Sequence, residues 1–315
     1  MKKVEVMNIS EFLGILESYR AQFSKSSCND FIFRGIANHE WELLPKVLRS
    51  YQKPQKTEDN SSSTLRKRIY RGSENEMLWH FKKEASGIAP HLLSNDDLLW
   101  LLYAQHYGVP TRLLDFSGNP LVALYFACSN EREKTKNGIV WLLNMSSFAA
   151  WAQDEPFSKE LYPDFTREQV ISSMMDTLKK EPSLREDKTK KQRPILYIPP
   201  YIDQRMQAQQ SRFLLWGNNP RALEQMTSED NLMYFQHGIR LEIIDEQRFL
   251  AKVVIAENAK KVILRELDLL GINEKVLFPG LDSIGRYVDE YYRDTTEKHD
   301  ETILKKKPYS NSIND

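Results

Sequence analysis

Apolar residues recur along this chain in two periods, and the alternation between them outlines a mixed fold. A helical stripe of Phe12, Leu13, Ile15 and Leu16, with Ser10 as N-cap and Glu11 behind it, predicts a first helix to about Phe23. Phe31, Ile32 and Phe33 form a short unbroken apolar run, the mark of a buried strand, with Arg34 and Gly35 at its end. Trp41, Leu43, Leu44 and Pro45 continue the ordered region. Composition then turns polar from Gln52 to Arg68, predicting a loop inside the domain, because core patterning resumes beyond it. Helical periods return over Ser73–Ala89 and Asn95–Tyr107, the second opened by an Asn-Asp-Asp cluster suited to a helix N-terminus and ended by Gly108 and Pro110. Asn119 and Pro120 open a further helix through Ala127.

Strand patterning dominates the second half. Gly138–Leu143, Ile195–Ile198, Phe213–Trp216, Arg240–Ile244 and Lys252–Ile255 read as strands, with helices over Glu168–Lys180, Lys260–Leu270 and Asp282–Tyr292. The sequence KEPSLREDKTKKQR reads as a solvated connector. Strands and helices alternate without a repeated βαβ unit. The expectation is therefore a single compact α+β domain over residues 1–292, with a small, mostly antiparallel sheet flanked by helices. Residues 293–315 read as a disordered polar tail.

Composition narrows the partners. With 41% hydrophobic residues the chain can build a core, and 44 basic side chains balance 44 acidic ones, so no global field draws it to nucleic acid or membrane. Two cysteines without ligand spacing suggest neither disulfide nor zinc, and no apolar run reaches the roughly 18 residues of a membrane span. A cytoplasmic protein is expected. Walker and dinucleotide glycine motifs are missing, as are HExxH and paired-carboxylate metal patterns.

Chemistry concentrates between Leu102 and Ala127, where Gln105, His106, Thr111, Arg112, Asp115, Ser117 and Asn119 lie between apolar helical segments. A buried polar group without a partner costs about 1–3 kcal/mol, so these residues either satisfy one another or await a ligand. Arg34, leaving a buried strand, suits an anion clamp, and equally a buried pair with Asp115. His106 suits proton transfer, with Asp115 to orient it, or a structural role at a helix end. A Ser117–His106–Asp115 nucleophilic triad lacks the GxSxG elbow. Gln204–Phe213, with Gln209, Gln210 and Arg212 ahead of a strand, can bind a ribose or cap a loop.

FIFRG at Phe31–Gly35, W-x-L-x-P at Trp41–Pro45, AQHYGVPTRLLDFSGNPLVALYFA at Ala104–Ala127 and QRMQAQQSRF at Gln204–Phe213 together resemble the bacterial and phage FRG domain. LRELDLLGINEKVLFPGLDSIGRY, from Leu264 to Tyr287, resembles that family's C-terminal element. Two departures stand out: Ser211 and Arg212 follow Gln210 where a glycine is usual, and Asp115-Phe116-Ser117 stands where Trp and Thr are common. A weaker similarity, an aromatic-Arg-Gly strand end followed by a serine ahead of a helix, is to Arg-Ser-Glu ADP-ribosyltransferases. It implies an NAD site in which Arg34 holds the phosphates, Ser117 supports the site and an aromatic such as Tyr125 or Phe126 stacks on nicotinamide. Arg34, His106, Asp115 and Gln209 are then the candidate catalytic residues, and Arg34, Gly35, Arg112, Ser117, Tyr125 and Gln210 the candidate cofactor-binding set, with no metal. The glutamate of that class has no counterpart; Gln209 or Gln210 stands nearest, and an amide cannot act as a carboxylate.

Two functional expectations follow. One is an ADP-ribosyltransferase-like enzyme that modifies a macromolecule, as a toxin or phage-defence effector with a neutralising partner. The other is a non-catalytic module that binds a nucleotide or phosphorylated ligand. A third reading makes the polar cluster wholly structural.

Overall fold

The computed structural model describes residues 6–23, 30–51, 73–89, 96–153, 193–217, 221–227, 232–234, 249–289 and 292. The expected loop Gln52–Arg68, helix Glu168–Lys180, strand Arg240–Ile244 and tail lie outside them, as does the connector except for its last residue, Arg193.

In chain order the elements are α1 (Ile9–Arg20), β1 (Phe31–Ile36), α2 (Glu74–Ile88), α3 (Asp97–His106), β2 (Leu113–Ser117), α4 (Pro120–Cys128), β3 (Gly138–Asn144) and α5 (Met145–Gln153). They continue with β4 (Ile195–Tyr197), α6 (Gln204–Ala208), β5 (Ser211–Leu215), α7 (Leu223–Met226), β6 (Leu232–Tyr234), β7 (Leu250–Ile255), α8 (Lys260–Leu269), α9 (Glu274–Leu277) and a last helix, α10, over residues 281–289. Seven strands form one sheet in the order β4-β5-β2-β1-β3-β7-β6, antiparallel except for β6 against β7. The fold is α+β.

Capping sets the helix starts. Asn8, not Ser10, caps α1 by accepting from the Glu11 N–H, and Ser73 closes a capping box with Glu76 on α2. Asp96 caps α3 through two N–H groups, and Asn119 caps α4 with Pro120 at its first position. The sequence pattern leaves β2, α5, α6, α7, β6 and α9 unassigned. β2 is hidden because all of its five residues but Asp115 are buried, so it shows no strand alternation and its apolar content merges with the helices on either side.

One face of the sheet carries two separate apolar clusters. Phe12, Leu16 and Tyr19 of α1, Leu124 and Ala127 of α4, and Ile263 and Leu267 of α8 cover the β1–β3–β7 half. Leu98, Leu101 and Leu102 of α3 and Leu78 of α2 cover Leu113 of β2 and Phe213 and Leu215 of β5. The opposite face is sealed by Leu43, Leu44 and Leu48, by Phe148 of α5 and by Leu223 of α7. Between the two clusters β1 and β2 part beyond Phe33 and Ser117, leaving a furrow in the sheet with α4 packed on the β1 side and α3 on the β2 side.

Buried polar contacts tie the halves together. Lys260 Nζ donates to the Ala37 carbonyl at 2.7 Å and to that of Glu133 at 2.8 Å, joining α8 to the end of β1 and to the short turn Glu131–Glu133 after α4. Burial pushes the Cys128 thiol up to about 12, with Lys260 pulling weakly the other way. A thiol raised in the folded state favours folding while it stays protonated, and that contribution fades as pH rises past the ordinary thiol range toward 12. Burial raises the Tyr19 phenol in the same direction. Stability should therefore fall at alkaline pH, and Cys128→Ala should shift the alkaline unfolding curve to higher pH by circular dichroism; an unmoved curve counts against the thiol's part in it. Among the described residues no helix is long and apolar enough to cross a membrane.

Candidate functional site

The furrow exists because β1 and β2 part. They pair only at Phe33 and Ser117, whereas β1 pairs with β3 from Phe31–Asn144 to Ile36–Ile139. The Gly118 N–H donates to the Gln210 carbonyl and the Trp216 N–H to that of Arg112, so the even-numbered residues of β2 face β5 and the odd-numbered ones face the gap. The Asp115 carbonyl thus has no strand beside it. Arg34 fills the gap, and its Nη1 donates to that carbonyl.

Around this junction a small polar network is built from both sides. Arg34 Nη1 lies 3.8 Å from Asp115 Oδ2, at the outer edge of ion pairing, and the two side chains are 19% and 61% exposed. Gln105 Nε2 of α3 donates to Asp115 Oδ1 at 2.6 Å, while Thr111 Oγ1 donates to Gln105 Oε1. Burial depresses the Arg34 guanidinium below its ordinary value; Asp115 opposes this, and the nearby charge of Arg49 adds to it. The guanidinium stays protonated, but in a place that favours an anion. Its register partner on β3 is Trp141, whose buried indole Nε1 has no hydrogen-bond partner, with Lys252 Nζ 5.5 Å from the ring centroid.

The other candidates fall into three further groups. His106 Nδ1 faces Asp203 Oδ2 at 3.0 Å, not Asp115. Ser117 Oγ donates to the Gln209 carbonyl at 2.7 Å and accepts from the Asn119 N–H at 2.9 Å, stitching the turn from β2 into α4. Gln209 is spent on structure, its Nε2 donating to the Leu277 carbonyl at 2.9 Å. Arg112 is turned into the core, where Glu74 accepts from its backbone N–H at 2.8 Å and from its Nε at 2.5 Å. Its place beside a cofactor is thereby taken by α2.

Three assigned cofactor contacts also take different forms. Gly35 seats α4, because a Cβ there would stand 1.7 Å from the Ala123 carbonyl oxygen of that helix. Tyr125 packs against the α1–α4–α8 cluster with its ring edge-on to Phe126, which meets Phe278 edge-on in turn, with Arg205 over the far ring at 4.7 Å. Gln210 holds the only left-handed φ, +47°, among the described non-glycine residues. That conformation, costing about 1–2 kcal/mol for most side chains, is why a glycine is at home at this strand entrance.

Residues 29–136, which hold β1 through α4 and both walls of the furrow, match the family described as the FRG domain. The chain carries an FRG domain. The tripeptide Phe33-Arg34-Gly35 is divided between two tasks: the arginine serves the furrow and the glycine seats α4. A search of curated proteins and a search of solved structures gave no match. Asp203, Trp141 and Glu74 escaped the sequence reading; Asp203 and Trp141 lie outside the matched segment, and only pairing in space brings them to it. Among the described residues no cluster of His, Cys, Asp and Glu could hold a metal.

Proposed function

We propose that the FRG domain binds a phosphorylated ligand of the nucleotide class, anchored on Arg34 where β1 and β2 part. The observation that carries this reading is the state of Arg34: a mostly buried, partly exposed guanidinium, pressed by Arg49, whose carboxylate neighbour stands off at 3.8 Å with one oxygen already held by Gln105. A phosphate oxygen would supply the charge that burial withholds.

A charge-assisted hydrogen bond contributes about 1.5–3 kcal/mol, so Arg34→Gln should weaken ADP, ADP-ribose, NAD and pyrophosphate by roughly 10- to 100-fold. Thermal shift, read against each variant's own ligand-free melting temperature, measures it. No stabilisation by any of the four, or full retention by Arg34→Gln, overturns the proposal.

A second reading, ADP-ribosyl transfer from NAD to a macromolecule, is favoured by one observation: Asp115 offers an exposed carboxylate beside Arg34, where Gln209 cannot serve. It would make the protein a toxin or phage-defence effector with a neutralising partner. Labelled NAD should then be consumed by the wild type and not by Asp115→Asn; equal consumption by the two removes Asp115 from the chemistry.

A further inference from the structure

At the C-terminal end of α3, one residue beyond Gln105, stands a second polar pair. Asp203 uses Oδ1 to accept from the Met206 N–H at 2.8 Å at the start of α6, and its Oδ2 is buried without a hydrogen-bond partner, 3.0 Å from His106 Nδ1. A buried carboxylate oxygen needs a donor, so Nδ1 must carry a proton. In the neutral ring that leaves Nε2 as a bare acceptor. No described residue partners it, and the His106 side chain is 22% exposed. Tyr107 lies edge-on to the imidazole at 4.9 Å and is itself 67% exposed.

The pair adjoins the Gln105–Asp115 contact, since His106 follows Gln105 on α3. Gln105 leads from α3 to Asp115, Asp115 leads to Arg34, and the residues after Asp203 run through α6 into β5, where Phe213 pairs with Asp115. An acceptor held in one tautomer beside an anion anchor selects a ligand that has both a phosphate and a donating hydroxyl. We propose that His106, oriented by Asp203, accepts a hydrogen bond from a ribose hydroxyl of the ligand anchored on Arg34. Asp203 is the positioning residue. This rests on the phosphate-binding reading for the anchor and adds the sugar to it, so that the ligand is a ribonucleotide and not a bare phosphate.

The probes are ADP, 2′,3′-dideoxy-ADP and pyrophosphate, titrated calorimetrically against the full chain. A neutral hydrogen bond of about 0.5–1.5 kcal/mol makes the wild type prefer ADP over its dideoxy analogue roughly 3- to 10-fold. His106→Phe, which keeps a ring and removes the acceptor, should erase that preference and leave pyrophosphate binding as it was. Equal binding of ADP and dideoxy-ADP by the wild type, or an unchanged preference in His106→Phe, overturns the inference while Arg34-dependent binding keeps the anchor. Loss of all binding overturns both. Independently of any ligand, long-range proton–nitrogen spectra at mildly alkaline pH should show His106 protonated at Nδ1 and bare at Nε2, with Asp203→Asn reversing the tautomer as its amide turns donor. A wild-type ring protonated at Nε2 ends the proposal by itself.

Discussion

Glu74→Ala should lower the unfolding free energy by about 3–5 kcal/mol, as a drop in the urea midpoint without loss of slope. The Arg112–Glu74 pair is buried, with side chains 3% and 7% exposed. The carboxylate also receives the Arg112 backbone N–H at the mouth of β2. Removing it takes the carboxylate from a guanidinium and an amide that are both buried in the core. The cost therefore reflects an abandoned charge more than the worth of the bond. Replacing both partners, as in Glu74→Leu with Arg112→Met, should recover most of the loss, because a buried ion pair gains little over apolar side chains of similar volume. A single substitution costing under about 1 kcal/mol would mean that Arg112 is free to turn outward, and would restore it as a ligand contact.

Arg112 also shows where sequence reading stops. Polar residues between two apolar helices announced a site, and that segment does line the furrow, yet its members divide among four separate partnerships. Arg34 with Asp115 was legible, because a strand-end arginine and a lone acidic residue are natural partners. Glu74 was not: it looks like any acidic residue in the first turn of a helix, and only the packing of α2 against α3 brings it to Arg112. His106 is legible as a candidate, and the sequence offers Asp115, nine residues away, as one group that could orient it; its partner in the fold, Asp203, is the N-cap of a five-residue helix with no periodicity to reveal it. β2 was lost for a related reason. A short strand buried on both sides carries the same apolar content as a helix end, and its identity comes from β5, almost a hundred residues later. The α+β class survived these misses because it depends on strand content and not on each boundary.

Gly35→Ala should be the most damaging single methyl in the domain. Strand alternation turns the Gly35 α-carbon toward α4, and an ideal Cβ there would stand 1.7 Å from the Ala123 carbonyl oxygen and 2.7 Å from the Ala127 nitrogen. Both obstacles are helix backbone, so no rotamer change relieves them. Ordinary overpacking costs about 1–3 kcal/mol, and here a whole helix must lift off β1, so the loss should lie above that range and leave little folded protein. Gly138 repeats the arrangement on β3, 2.5 Å from the Ala127 carbonyl oxygen, so the two glycines seat one helix on two adjacent strands. Gly87, inside α2 with nothing within 4 Å, is the control: alanine there should stabilise by roughly 0.5–1 kcal/mol through helix propensity alone. Trimming Ala123 or Ala127 to glycine should not rescue Gly35→Ala, since the clash is with main-chain atoms. A soluble Gly35→Ala protein within about 1 kcal/mol of wild type would show that α4 yields. Because α4 is one wall of the furrow and Arg34 precedes Gly35 in the strand, such yielding would reopen that glycine as a place where a ligand meets the backbone.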